Sequence, residues 1–118
     1  MKAIINEFIS LETEDDLENY KPADPLNFST WIRLAIGPEN EKGSDFFDLL
    51  ICTPSWIKAQ CDENKSLQRR HMMMVAEYDY LKIKSELIRQ IDNCSGENWA
   101  SIAKKIAKFA AWEFEDYK

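Results

Sequence analysis

His71 is the one histidine of this 118-residue chain, and Met72, Met73 and Met74 follow it. Imidazole beside thioethers is the donor set of a soft copper site. The segment reads as a strand, however, where neighbouring side chains alternate between faces, so at most two of the four converge, and methionine is ordinary core filling. Cys61 with His71 would supply a thiol nucleophile and its base, but nothing in the sequence orients the pair, and a buried inert thiol accounts for the cysteine. Glu113 with Asp116, or Asp15 with Asp16, would give paired carboxylates for hydrolysis. Charge runs are ordinarily solvated, and no apolar pocket pattern accompanies either pair. Gly37, Gly43 and Gly96 stand outside any GxGxxG or GK[ST] context, which excludes a phosphate-cradling loop, and no Cys/His spacing matches structural zinc. The chain therefore carries no catalytic constellation and no cofactor or metal motif, and a binding surface is its best candidate for function.

Two stretches qualify as such a surface. Glu12, Glu14, Asp15, Asp16 and Glu18 place five carboxylates in seven positions. Near the other end, Trp112, Glu115 and Asp116 close a segment that reads as a helix from Asn98 to Lys118. Ile102, Ala103, Ile106, Ala110, Phe114 and Tyr117 share one face of that helix, and Lys104, Lys105, Lys108 and Glu115 the other. Trp112 projects onto the lysine face, where an indole needs a local shelf or another molecule. Glu113 projects onto the apolar face, where a carboxylate needs a partner, and Arg33, Arg69, Arg70 and His71 are the candidates for a structural ion pair. Acids at a helix C-terminus oppose the macrodipole, so something other than helix stability placed Glu113, Glu115 and Asp116 there.

These residues need a scaffold, and the chain supplies one. Ile4, Ile5, Phe8 and Ile9 mark a strand over Lys2–Leu11. Phe28–Ile36 alternates, with Phe28, Thr30, Ile32, Leu34 and Ile36 on one face and Ser29, Trp31, Arg33 and Ala35 on the other. Gly37–Ser44 is a polar hairpin loop. Asp45–Thr53 is apolar on both faces and belongs at the centre of its sheet, and Pro54 suits the first turn of a short helix through Trp56 and Ile57. Leu67–Glu77 reads as a fourth strand. From Tyr78 or Asp79 a helix aligns Tyr80, Ile83, Leu87, Ile91 and Cys94, and ends at Ser95-Gly96. Four strands followed by two helices predict a single α+β domain over residues 1–118. Its sheet is mainly antiparallel, with both C-terminal helices on one face.

The totals agree with a binding module. A net charge of −6 argues against nucleic acid and against an anionic membrane surface. The acidity is uneven: residues 1–66 hold thirteen acids and six bases, residues 67–118 eight and nine. Cys52, Cys61 and Cys94 form no CxxC and cannot all pair, and no signal-like segment opens the chain. Reduced thiols and a cytoplasmic location are expected. No stretch approaches the ~18 apolar residues of a membrane span.

Phe46-Phe47-Asp48-Leu49-Leu50-Ile51-Cys52-Thr53-Pro54-Ser55-Trp56 carries a family resemblance. So do Ile36-Gly37-Pro38 before it, and Trp99, Ile102-Ala103-Lys104 and Trp112-Glu113-Phe114-Glu115-Asp116-Tyr117 after it. Over about Phe28 to Tyr117 the chain resembles the immunity protein 8 family, small cytoplasmic antitoxins of bacterial polymorphic or contact-dependent toxin systems. The resemblance implies an α+β fold and a job, which is binding the C-terminal domain of a cognate toxin, a nuclease among the possibilities, and blocking it. A terminus shared by proteins that face different toxins also favours a structural role for Glu113 over a binding role for Trp112. The rival readings are a small cytoplasmic enzyme or ligand-binding domain with a pocket between helix and sheet, and a structural subunit or adaptor.

Overall fold

Strict alternation in the second strand divides the molecule into a covered and an uncovered face. A computed structural model describes residues 1–115. In order they form β1 (Ala3–Ser10), β2 (Asp15–Asp16), a 3-10 turn (Leu17–Asn19), β3 (Ser29–Pro38), β4 (Asp45–Cys52), α1 (Pro54–Asn64), β5 (Met72–Met74), α2 (Tyr80–Asp92), α3 (Trp99–Ile106) and β6 (Ala111–Trp112). The open sheet runs β2-β1-β3-β4-β5, with β6 also on β4. All of its pairs are antiparallel except β4 with β5. Thr30, Ile32, Leu34 and Ile36 of β3 are buried on the covered face, joined by Phe47, Leu49 and Ile51 of β4 and Phe8 of β1. Gly37 is fixed by proximity, since a Cβ there would lie 2.0 Å from the carbonyl oxygen of Gly43 across the hairpin.

Two helices close this face. Asp79 caps α2 by accepting from the Lys82 N–H, and Ile83, Leu87 and Ile91 go inside. Asn98 caps α3 by accepting from the Ser101 N–H at 2.9 Å, and Ile102, Ala103 and Ile106 join the same core. Neither helix is long enough to be stable alone, so burial of these stripes holds them in place.

The architecture is α+β as expected, with differences that have physical causes. The short helix after Pro54 is eleven residues long and stands between β4 and β5, giving three helices. It returns the chain so that β5 pairs parallel with β4, an arrangement that requires such a crossover. The fourth strand shrinks from Leu67–Glu77 to Met72–Met74, with Met73 packed on the core. The terminal helix ends at Ile106 instead of running five turns. Because β5 covers only Leu50–Cys52, the backbone of β4 at Phe47 and Asp48 offers unpaired groups, and β6 takes them. Pairing at that edge satisfies the backbone of β4, and the chain leaves the helix for it after Ile106.

Candidate functional site

The acidic run folds back on β1 as the outermost strand of the sheet. Ile9 faces Asp16 and Ser10 faces Asp15, and Glu14 takes the left-handed conformation (φ 57°) that reverses the chain. Leu17 (1% exposed) and Tyr20 (8% exposed) anchor the segment in the core. Part of the acid shapes the turn. Asp16 accepts from the Glu18 N–H at 3.1 Å, and Asp15 from the Asp16 N–H at 2.7 Å and the Asn19 amide at 3.1 Å. Glu12, Glu14 and Glu18 are exposed. The run is thus a preshaped negative edge.

The carboxy-terminal candidates separate. As part of a strand, Trp112 turns inward: its ring stacks on Phe47 with centroids 6.3 Å apart, and its Nε1–H donates to Asp45 Oδ2 at 2.9 Å. The Trp99 Nε1–H donates to the same oxygen at 2.8 Å. One carboxylate therefore ties α3 and β6 to the start of β4. Glu113, expected inside, is exposed, because a strand's period of two sends it to the face opposite Trp112. Its carboxylate accepts from the Phe46 N–H, and its own N–H donates to the Phe46 carbonyl at 3.0 Å.

None of the four cations considered for Glu113 forms a direct ion pair with it. Arg33 forms a two-point pair with Asp48 at 2.8 and 3.0 Å. That hydrogen bond chiefly, with smaller help from the charges of Asp48 and Glu113, holds the guanidinium above its ordinary pKa. Arg70 bonds Glu115 at 3.1 Å. His71 Nε2 lies 3.9 Å from that carboxylate and 2.9 Å from the Ala107 carbonyl. Arg69 is exposed. Asp116 and Tyr117 lie outside the described residues.

Acidic edge and carboxy-terminal strand do not form one patch, since β1, β3 and β4 separate them. Four strand spacings amount to about 19 Å. Between them lies the sheet face opposite α2 and α3, where Leu50, Cys52 and Ala35 are buried and Trp31, Arg33, Phe46 and Asp48 form the part left uncovered, a set that motif reading passed over. The alternation of Phe28–Ile36 already grouped Trp31 with Arg33; what it could not show was whether anything covers them.

Concavities are shallow grooves. One of about 440 Å³ runs between β5 and α2, floored by Met73, Val75 and Ile83 and edged by Glu77, Lys82 and Glu86. Hydrogen bonds from Arg89 and Gln90 already hold the Glu86 carboxyl down to about 2, so it is committed to its own helix. Among the described residues no helix is long and apolar enough to cross a membrane. No curated protein and no solved structure matches the chain. The family model of Immunity protein 8 matches residues 6–117, which takes in the latter part of β1, the acidic edge and every element after it. The chain accordingly belongs to the immunity protein 8 family, and that membership supports an immunity role.

Proposed function

We propose that this protein is the antitoxin of a polymorphic or contact-dependent toxin system. In this role it acts in the cytoplasm and neutralises the C-terminal domain of its cognate toxin by laying an acidic surface over the active site or substrate path. Toxins that act on anionic substrates, nucleases among them, present basic clefts, and the edge formed by Glu12, Glu14, Asp15, Asp16 and Glu18 is the complement of such a cleft. The observation that carries the proposal is the preshaping of this edge. Buried Leu17 and Tyr20 beneath it and the Asp15 and Asp16 hydrogen bonds fix the turn before any partner arrives. A preordered surface loses little conformational entropy on docking, and its charge speeds encounter. The inward Trp112 and the Arg70-bound Glu115 serve the fold first, so the acidic edge takes precedence as the contact.

The test uses a purified C-terminal toxin domain encoded by a neighbouring gene, identified first by co-expression with this chain. Glu12→Lys, Glu14→Lys and Glu18→Lys together reverse charge without touching the turn's hydrogen bonds. They should lower the association rate by about tenfold or more at low salt, with less effect at physiological salt. An association rate that ignores both the substitutions and the ionic strength refutes steering by this edge.

A further inference from the structure

The uncovered face of the sheet contains two aromatic side chains in its interior strands. Trp31 on β3 and Phe46 on β4 are each 38% exposed. Residues paired across neighbouring strands share a face, which places Trp31 with Leu50, Arg33 with Asp48, Ala35 with Phe46, and, from β1, Ile9 with Arg33 and Glu7 with Ala35; of these Leu50 and Ala35 are buried, and the rest form the open part of the face. A sheet face turned to solvent ordinarily carries polar residues at such central positions. Here the aromatic groups are instead held ready. Arg33, fixed by its two-point pair with Asp48, lies over the Phe46 ring at 5.0 Å. Beside Trp31 a depression of about 280 Å³ opens, walled by Leu11, Glu12, Leu50, Trp56 and Arg69.

The charge on this face selects the occupant. Asp48 and Arg33 neutralise one another. Glu7 on β1, Glu12 at the depression, Asp16 opposite Ile9 and Glu113 beyond Phe46 are all exposed, against Arg69. A second copy would bring the same negative face against itself, which opposes an isologous dimer. A basic protein surface is favoured.

We infer that the toxin domain seats on this uncovered sheet face, with Trp31 and Phe46 as its apolar anchors and the depression beside Trp31 receiving a side chain of the basic partner. The acidic edge, continuous with the face through Asp16 and Ile9, is its steering rim. This deepens the antitoxin proposal and rests on it. Rim charge governs the association rate, and desolvated aromatic anchors govern dissociation.

Binding of the co-expressed toxin domain is measured for the unaltered chain, Trp31→Ala, Phe46→Ala and, as a control on the exposed side of α2, Leu81→Ala. Trp31→Ala should weaken affinity by about 30-fold or more, almost entirely through faster dissociation and with the salt dependence unchanged. Leu81→Ala should match the unaltered chain. Each anchor is 38% exposed and the rest of its ring packs on the protein, so both variants should melt somewhat lower yet stay folded, and binding is measured well below their Tm. Hydroxyl-radical footprinting of the unaltered complex reads the same face without substitution, and Trp31 and Phe46 should both lose reactivity. If the unaltered chain does not bind, the antitoxin proposal falls and this inference with it. If it binds, but Trp31→Ala and Phe46→Ala bind equally well or Trp31 keeps its free reactivity in the complex, this inference alone is overturned.

Discussion

Asp45 offers the sharpest test of how the end of the chain is held. Its Oδ2 receives the indole N–H of Trp99 from α3 at 2.8 Å and that of Trp112 from β6 at 2.9 Å. Asp45→Ala removes both acceptors at once. A hydrogen bond to a charged group contributes about 1.5–3 kcal/mol. Both indoles are only half-buried, so water reaches part of each site and the lower end applies. The loss should be about 3 kcal/mol, which for a domain of this size lowers Tm by about 12 °C. Asp45→Asn retains an acceptor oxygen without the charge, and should cost about half as much. The assay is urea and thermal unfolding followed by calorimetry and by tryptophan emission, which should shift red as Trp112 is loosened from Phe47. A double-mutant cycle adds the attribution: in a Trp112→Phe background, Asp45→Ala should cost only about half its original amount, because one of the two bonds is already gone. Melting within about 2 °C of the unaltered chain, or strict additivity in the cycle, would show that the shared carboxylate does not tie α3 and β6 to β4.

Glu113→Ala removes an exposed carboxylate bonded to the Phe46 N–H, and should cost about 1 kcal/mol. A loss of about 3–5 kcal/mol in chemical denaturation would instead mark a stranded buried charge. Leu17→Ala, beneath the acidic run, should cost about 2–5 kcal/mol and increase proteolytic cleavage near Asp15 and Asp16, and an unchanged urea midpoint would refute the anchoring role of Leu17. Burial above all, with the neighbouring Tyr20 and Tyr80, pushes the Tyr78 phenol up to about 12 from its ordinary 10. An acid whose pKa is raised by folding contributes stability that is intact below its unfolded value and is lost as pH climbs through its folded one. Stability should therefore fall between about pH 10 and about pH 12. Tyr78→Phe should flatten part of that decline in urea titrations, and an identical decline would assign it to other groups.

Much of the fold was legible because its signals are local. Alternation in Phe28–Ile36 required no knowledge of the partner strands, and every residue assigned to the inner face is buried. Asn98 at a helix start, Tyr78 or Asp79 as the opening of the other, and the stripe Ile83, Leu87 and Ile91 likewise depend only on chemistry within a few residues, and the structure makes Asp79 the cap. The acidic edge could be read from composition, although its placement as an outermost strand could not. Trp31 and Phe46 were visible as residues but not as a surface, since exposure depends on which face the helices choose.

The last dozen residues show the limit most clearly. Over so short a span, Phe109-Ala110-Ala111-Trp112-Glu113-Phe114 satisfies a helical period and a strand period alike, and the two assignments send Trp112 and Glu113 to opposite sides. The amino-acid sequence alone determined the α+β class, the core strands, the helix starts to within a residue and the negative charge, because propensity and periodicity act along the chain. Tertiary structure decided the terminus. β5 leaves part of the β4 edge unpaired, and unsatisfied backbone hydrogen-bonding groups at that edge drew Ala111 and Trp112 into the sheet.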